Sequence, residues 1–202
     1  MTQWHKFLVR QGAVLDGGQV ANFGDAAAEL QATAYGNVLV DLSHSGLLQI
    51  SGEDAATFLQ GQVTNDIKLL NGSNSQYAGY CNPKGRLIAL FLAFAHHDYL
   101  YLQFYGALLE PIMKRLKMYV MRSKVTIKDV SASTLCMGAA GKDAAASLKT
   151  IFKKVPSQAH ELVSLDNGTL IRLPGPPPRY LIFSDVDHLP AIWEQLQKTH
   201  KP

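Results

Sequence analysis

The most constraining stretch of this sequence is Gln76 to Phe104, which reads as a strand, a tight turn and two more strands. Asn82-Pro83-Lys84-Gly85 is turn chemistry, because the residue before proline is turned away from the helical region and glycine accepts left-handed backbone. Arg86 to Ala95 follows and is almost wholly apolar, the pattern of a strand covered on both faces. His96-His97-Asp98 is a hairpin loop. Tyr99 to Phe104 then alternates, setting Leu100, Leu102 and Phe104 on one face and Tyr99, Tyr101 and Gln103 on the other. Consecutive strands joined by short turns imply antiparallel sheet.

Other segments supply helices and further strands. Leu47 to Ser51 reads as a strand and 52–60 as a short helix with acids in its first turn, ended by Gly61 in a left-handed conformation. Ala26, Ala27 and Leu30 recur at helical spacing after the capping candidates Asn22 and Asp25. Leu109, Ile112, Met113, Leu116 and Val120 make an apolar stripe, with Pro111 tolerable only in the first turn. Ser123 to Val130, Leu135 to Ala139, Thr169 to Leu173 and Tyr180 to Ser184 read as strands. The stretches from Ala144 to Phe152 and from Leu189 to Leu196 read as amphipathic helices, and the prolines between Leu173 and Pro178 as a stiff connection. Hairpins outnumber βαβ alternation, so the fold class is α+β.

Composition removes several function classes. With 202 residues, 47% of them hydrophobic and 17% charged, the chain can bury a core and is not intrinsically disordered. A net charge of +3 is too slight for a protein that coats nucleic acid. The longest apolar run, Leu87 to Ala95, falls well short of the ~20 residues of a membrane-spanning helix. The start Met1-Thr2-Gln3-Trp4-His5-Lys6 has no apolar signal core, and the two cysteines, Cys81 and Cys136, form no CxxC. A cytoplasmic protein with no membrane partner is the expectation.

Most catalytic motifs fail on inspection. Gly138-Ala139-Ala140-Gly141-Lys142-Asp143 lies where a phosphate loop would lie, but it is short, and Asp143 stands where a hydroxyl should hold magnesium; the aspartate is better read as a helix cap. The histidines lack metal-site spacing, and Ser43-His44-Ser45 has no nucleophile elbow. Lys114, Arg115, Lys117, Arg122, Lys124 and Lys128 crowd one region, chiefly as a solvated face and secondarily as a patch for RNA phosphates or a polyglutamate tail.

The strongest binding constellation surrounds the turn. Tyr77 and Tyr80 offer flat stacking surfaces, Asp66 an acceptor, and Lys84 and Arg86 fixed positive charge. That set suits a flat heteroaromatic ligand carrying carboxylates.

The order of motifs resembles one family. Val40-Asp41-Leu42-Ser43, then Leu47 to Ala55, then Phe58-Leu59-Gln60-Gly61-Gln62-Val63-Thr64-Asn65-Asp66, looks like the opening of the YgfZ-type folate-binding proteins, relatives of the glycine-cleavage T-protein. Tyr80-Cys81-Asn82-Pro83-Lys84-Gly85-Arg86, Leu116-Lys117-Met118-Tyr119, Ser123-Lys124-Val125-Thr126-Ile127 and Tyr180-Leu181-Ile182-Phe183-Ser184-Asp185 follow in the expected order. The resemblance spans roughly 38–185. It implies a GcvT-like folate-binding fold with antiparallel sheets and flanking helices, and a chain that corresponds to the N-terminal portion of a longer protein, either as a fragment or as a naturally shortened homologue. The expected division is into two subdomains, about 1–105 and 106–202.

The resemblance further implies a tetrahydrofolate-binding protein that supports iron–sulfur cluster assembly or repair and, through iron–sulfur enzymes, tRNA modification. Tyr77 and Tyr80 would flank the pterin or benzoyl ring, Asp66 would accept from pterin N–H groups, and Lys84 and Arg86 would meet the glutamate carboxylates. Two departures matter. The T-protein carries an aspartate in the strand after the turn, whereas Leu87-Ile88-Ala89-Leu90-Phe91 has no acid, so no catalytic residue is assigned and aminomethyl transfer is not expected. Ser45 stands where some relatives carry a folate-stacking tryptophan. The alternatives are a folate-dependent aminomethyltransferase or methyltransferase, and a folate-free module that docks RNA or protein through the Lys114 to Lys128 bases.

Overall fold

The computed structural model describes residues 1–202. In chain order the elements are α1 (Gln3–Arg10), β1 (Val14–Asp16), β2 (Gln19–Asn22), α2 (Ala26–Tyr35), β3 (Val38–Asp41), β4 (Ser45–Ser51), α3 (Ala55–Gln60), β5 (Ser75–Cys81), β6 (Leu87–His96), β7 (Tyr99–Tyr105), α4 (Leu109–Val120), β8 (Thr126–Asp129), β9 (Thr134–Ala140), α5 (Ala144–Lys149), β10 (Leu162–Leu165), β11 (Gly168–Leu173), β12 (Arg179–Asp185) and α6 (Leu189–Leu196). Antiparallel sheets with flanking helices bear out the α+β class.

The chain forms two compact units. One comprises 1–43, 133–159 and 165–202; the other comprises 44–132 and 160–164. The division expected near residue 105 therefore does not describe the molecule. Its cause is sheet pairing: β3, early in the chain, pairs with β9 far downstream, from Val38 opposite Ala140 to Asp41 opposite Met137. Hydrogen bonding across this long separation ties the N-terminal segment to the C-terminal one, and no linear cut can separate them.

In the first unit β11, β12, β9 and β3 lie side by side in that order, all antiparallel. α1, which no sequence pattern announces, buries Trp4, Phe7 and Leu8. The Trp4 ring stacks on Phe7 and meets Trp193 of α6 edge-on at 5.7 Å. Met137, Leu170, Tyr180, Ile182, Leu189 and Leu196 complete that core. α2 forms where Ala26, Ala27 and Leu30 place it, capped by Asp25, whose carboxylate accepts from the Ala28 amide at 3.0 Å. It buries none of its residues, so Leu30 faces water. Asp143 starts α5 without capping it; its Oδ2 accepts from the Asn37 side-chain amide instead.

The second unit is a five-stranded sheet in the order β5-β6-β7-β4-β8, with α3 and α4 packed on one face. Leu102 and Phe104 point into this core with Phe58, Leu59, Phe91, Ile112 and Leu116, as the alternation of β7 requires. Gly61 is right-handed, with φ −78°, not left-handed. The helix ends by tightening: the Gly61 amide donates to Phe58 O and the Gln62 amide to Leu59 O, so no positive φ is needed. No helix is long and apolar enough to cross a membrane.

Candidate functional site

Strand β5 organises every residue of the ligand-binding constellation. Its partner β6 runs antiparallel, with Tyr77 opposite Leu92 and Gly79 opposite Leu90. On the other side the preceding segment lies against it. Thr64 N donates to Gly79 O at 2.9 Å, and the Gly79 amide donates to Thr64 Oγ1 at 2.9 Å. The Gln76 side-chain amide donates to the backbone oxygen of Asp66 at 2.9 Å, which sets Asp66 beside the start of the strand. The Asp66 carboxylate is exposed, and one of its oxygens accepts from the Lys68 amide to cap a short 3₁₀ turn.

At the far end of β5 the Asn82-to-Arg86 turn is fixed by one side chain. Asn82 Oδ1 accepts from the Lys84 and Arg86 amides at 2.9 and 3.0 Å, and the Asn82 amide donates to Arg86 O. Gly85 has φ +74°, a conformation a β-carbon would strain. The turn chemistry read from the sequence thus holds, and it carries both bases exposed on one loop. From Gln76 to Cys81 is five strand steps, about 16 Å at the usual rise. Asp66 lies at one end of that length, and Lys84 and Arg86 lie at the other.

The two tyrosines do not flank a common space. Tyr80 is 3% exposed in the helix-covered core, stacked on Phe91 at 6.0 Å, while Tyr77 is 40% exposed on the opposite face. Side chains alternate along a strand, and positions 77 and 80 differ by an odd number, so they must diverge. Arg115 Nε donates to Tyr80 Oη at 3.1 Å, with the guanidinium 5.9 Å from the ring centre. Burial pushes the Tyr80 phenol above its usual pKa, and the Arg115 bond partly opposes that rise. Tyr80 is a core residue with a satisfied hydroxyl, and Arg115 is drawn to it from the basic cluster.

Tyr77 has a neighbour that no local sequence feature singles out. The His160 ring stands edge-on to it at 5.2 Å, and His160 Nδ1 lies 3.2 Å from Ser75 Oγ. Ser75 N donates to His160 O, which zips 160–162 alongside β5. Burial holds the His160 pKa below the ordinary imidazole value. No motif links residue 160 to residue 77; only the return of the chain brings them together.

The rest of this outer face is apolar, with Gly79, Leu92 and Phe94 buried and only Leu87 and Leu90 open to solvent. A β-carbon on Gly79 would stand 3.1 Å from Leu87 Cδ1 and 3.2 Å from Thr64 Oγ1. Leu87 and Leu90 are 60% and 54% exposed there, so β6 is not covered on both faces as its apolar run suggested. Leu87 reaches this face because the register shifts between Tyr80 and Cys81: Tyr80 pairs with Ala89 and Cys81 with Leu87, leaving one β6 residue extra. Strands β5, β6 and β7 carry no carboxylate at all.

Other sequence features resolve into structural roles. Asp41 is buried and accepts from Trp4 Nε1 at 2.9 Å, from the Ser43 amide at 3.0 Å and from Ser43 Oγ at 3.0 Å. The Val40-Asp41-Leu42-Ser43 string is therefore a clamp on α1, and the Ser43 hydroxyl is engaged by that clamp. Cys136 is buried, and burial raises its thiol pKa, with the Asp41 charge adding to the effect. His, Cys, Asp and Glu side chains form no cluster that would hold a metal ion.

Comparison with known proteins agrees with the motif order. The GCVT N-terminal domain family matches residues 7–174. The tRNA-modifying protein YgfZ of Colwellia psychrerythraea is 32% identical over 158 residues, covering 78% of this chain and 48% of that protein. Its counterpart in Sodalis glossinidius is 31% identical over 159 residues, covering 79% and 47%. The chain spans about half the length of these curated relatives. Among solved structures, the glycine cleavage system aminomethyltransferase T from Bartonella henselae superposes with a TM-score of 0.82 at 16% identity, over 97% of this chain and 56% of that one. At that identity the superposition speaks for the fold, which is the GcvT-like architecture the motifs implied. Motif order, sheet architecture and a match over most of the sequence converge: this chain belongs to the GCVT N-terminal domain family.

Proposed function

We propose that this chain is the folate-binding part of a YgfZ-like protein acting in tRNA modification, and that tetrahydrofolate lies along the outer face of β5. The observation that carries the reading is the ordered strip on that face. Along the strand, Asp66 is tied to Gln76 at its start, Tyr77 is exposed on the outer face, Leu87 and Leu90 lie exposed beside Gly79, and the Lys84–Arg86 turn follows its end. Its length of about 16 Å suits an extended molecule with an aromatic head and an anionic tail. Tyr77, edge-on to His160, offers a ring face to a pterin. The Asp66 carboxylate accepts from pterin N–H donors, and the two turn bases attract glutamate carboxylates.

Tyr80 leaves the set of ligand contacts and enters as support, since its ring packs under the strand from the core side. The chemistry assigned to this part is binding and orientation, without aminomethyl turnover. β5 to β7 offer no carboxylate beside the strip to take up a proton or steady a developing cation. A role in iron–sulfur cluster assembly or repair, through iron–sulfur enzymes, belongs to the same reading, and cytoplasmic action goes with it.

Anaerobic titration of tetrahydrofolate into wild type, Asp66→Ala and Tyr77→Ala, followed by tryptophan fluorescence or calorimetry, tests the reading. Saturable binding weakened by both substitutions is expected. Equal affinity in all three proteins refutes the placement.

A further inference from the structure

Helix α4 presents a surface that the fold does not need. Ile112 and Leu116 are buried on one side. Lys114, Lys117, Met118 and Met121 recur at spacings of three and four on the opposite side, and the helix has one acid, Glu110, in its first turn. Met118 is 68% exposed and Met121 87% exposed, with Tyr119 half-exposed beside them. Met121 ends the helix at φ +45°, a conformation uncommon for a side chain of this kind. A large apolar side chain held in left-handed backbone and turned into water stabilises nothing inside the protein.

The basic cluster divides on inspection. Arg115 is committed to Tyr80, and Lys124 is paired with Glu53 at 2.6 Å. Of the other four, Lys128 lies apart on β8, and Lys114, Lys117 and Arg122 are exposed on α4 and its terminal turn with Met118, Tyr119 and Met121, so positive charge and polarizable apolar surface share that segment.

We infer that this face of α4 is a landing surface for an unpaired stretch of RNA. Lysine and arginine meet phosphates as charges without sequence preference, while Tyr119 and the two methionines receive splayed-out bases. The choice of RNA over another polyanion rests on the tRNA-modification reading above; the surface itself is distinct from the β5 strip.

The test is fluorescence anisotropy of a labelled, unmodified tRNA transcript titrated with the 202-residue chain at several salt concentrations. Three phosphate contacts predict a log–log slope of about −2. The triple variant Lys114→Gln, Lys117→Gln, Arg122→Gln should lose at least about tenfold in affinity and most of the slope. Tyr119→Ala should weaken binding several-fold and leave the slope unchanged, and a tetrahydrofolate titration of every variant should match wild type. No binding at low salt, or a triple variant that binds as wild type, overturns the inference. So does displacement of the RNA by polyglutamate charge for charge with Tyr119→Ala silent, because the patch is then electrostatic only. Wild type that binds folate but no RNA removes this surface and leaves the β5 reading standing; wild type that binds RNA but no folate removes the β5 reading alone.

Discussion

Tyr80 and Tyr77 stand on one strand, three positions apart, and live in opposite environments. Tyr80 lies between Phe91 and the Arg115 guanidinium in a helix-covered core; Tyr77 lies in the open, touching His160. The inner face of β5 is fixed by packing under the helices, while on the outer face Tyr77 stays 40% exposed, held only by its contact with His160. Residues on the first should therefore report on stability, and residues on the second should report on binding.

The largest break in that contrast is expected at Tyr80. Tyr80→Ala removes a buried ring and leaves Arg115 without its acceptor, costing about 3–5 kcal/mol in urea denaturation. If the variant is as stable as wild type, the inner face is not the structural one. Tyr77→Ala should change stability by no more than about 0.5 kcal/mol. The same substitution should weaken tetrahydrofolate about tenfold, equivalent to about 1.4 kcal/mol. A fall in stability matching that at Tyr80 erases the distinction between the faces.

Smaller effects sharpen it. Lys84→Gln with Arg86→Gln should lower affinity for a polyglutamylated folate several-fold more than for the monoglutamate, with the gap closing as salt rises. Equal losses for the two ligands would detach the turn from the anionic tail. The smallest effect concerns pH. His160 titrates near 6.5 when unfolded and lower when folded, so below about pH 6.5 the unfolded chain binds more protons and stability falls as pH drops toward the folded value. Wild type should lose a little more stability between pH 7.5 and 5.5 than His160→Asn does; identical slopes would show that the histidine is not held neutral beside Tyr77.

Much of the fold could be read directly. The apolar run of β6, the alternation of β7 and the stripe of α4 give their elements because period and burial are local consequences of backbone geometry. α1 escaped notice because its apolar residues, Trp4, Phe7 and Leu8, are few and open the chain without context. The spacing of Ala26, Ala27 and Leu30 gives α2, but helix formation alone does not say whether anything packs against it, and none of its residues is buried. The candidate site was legible as a set of residues and not as an arrangement. Tyr77 and Tyr80 could have been separated by parity once β5 was assigned, whereas His160 could not have been found by any local rule.

By itself, the sequence determined the α+β class, the Asn82–Arg86 turn with its two bases and the motif order that assigns the family. Each depends on residues near one another in the chain. The discontinuous units, the outward Leu87 at the register shift, the Arg115–Tyr80 bond and the placing of His160 against Tyr77 came from long-range folding. Those depend on which strands pair across long separations. Hydrogen-bond register between distant segments is set by collective burial of the whole sheet, and no short window of sequence contains it.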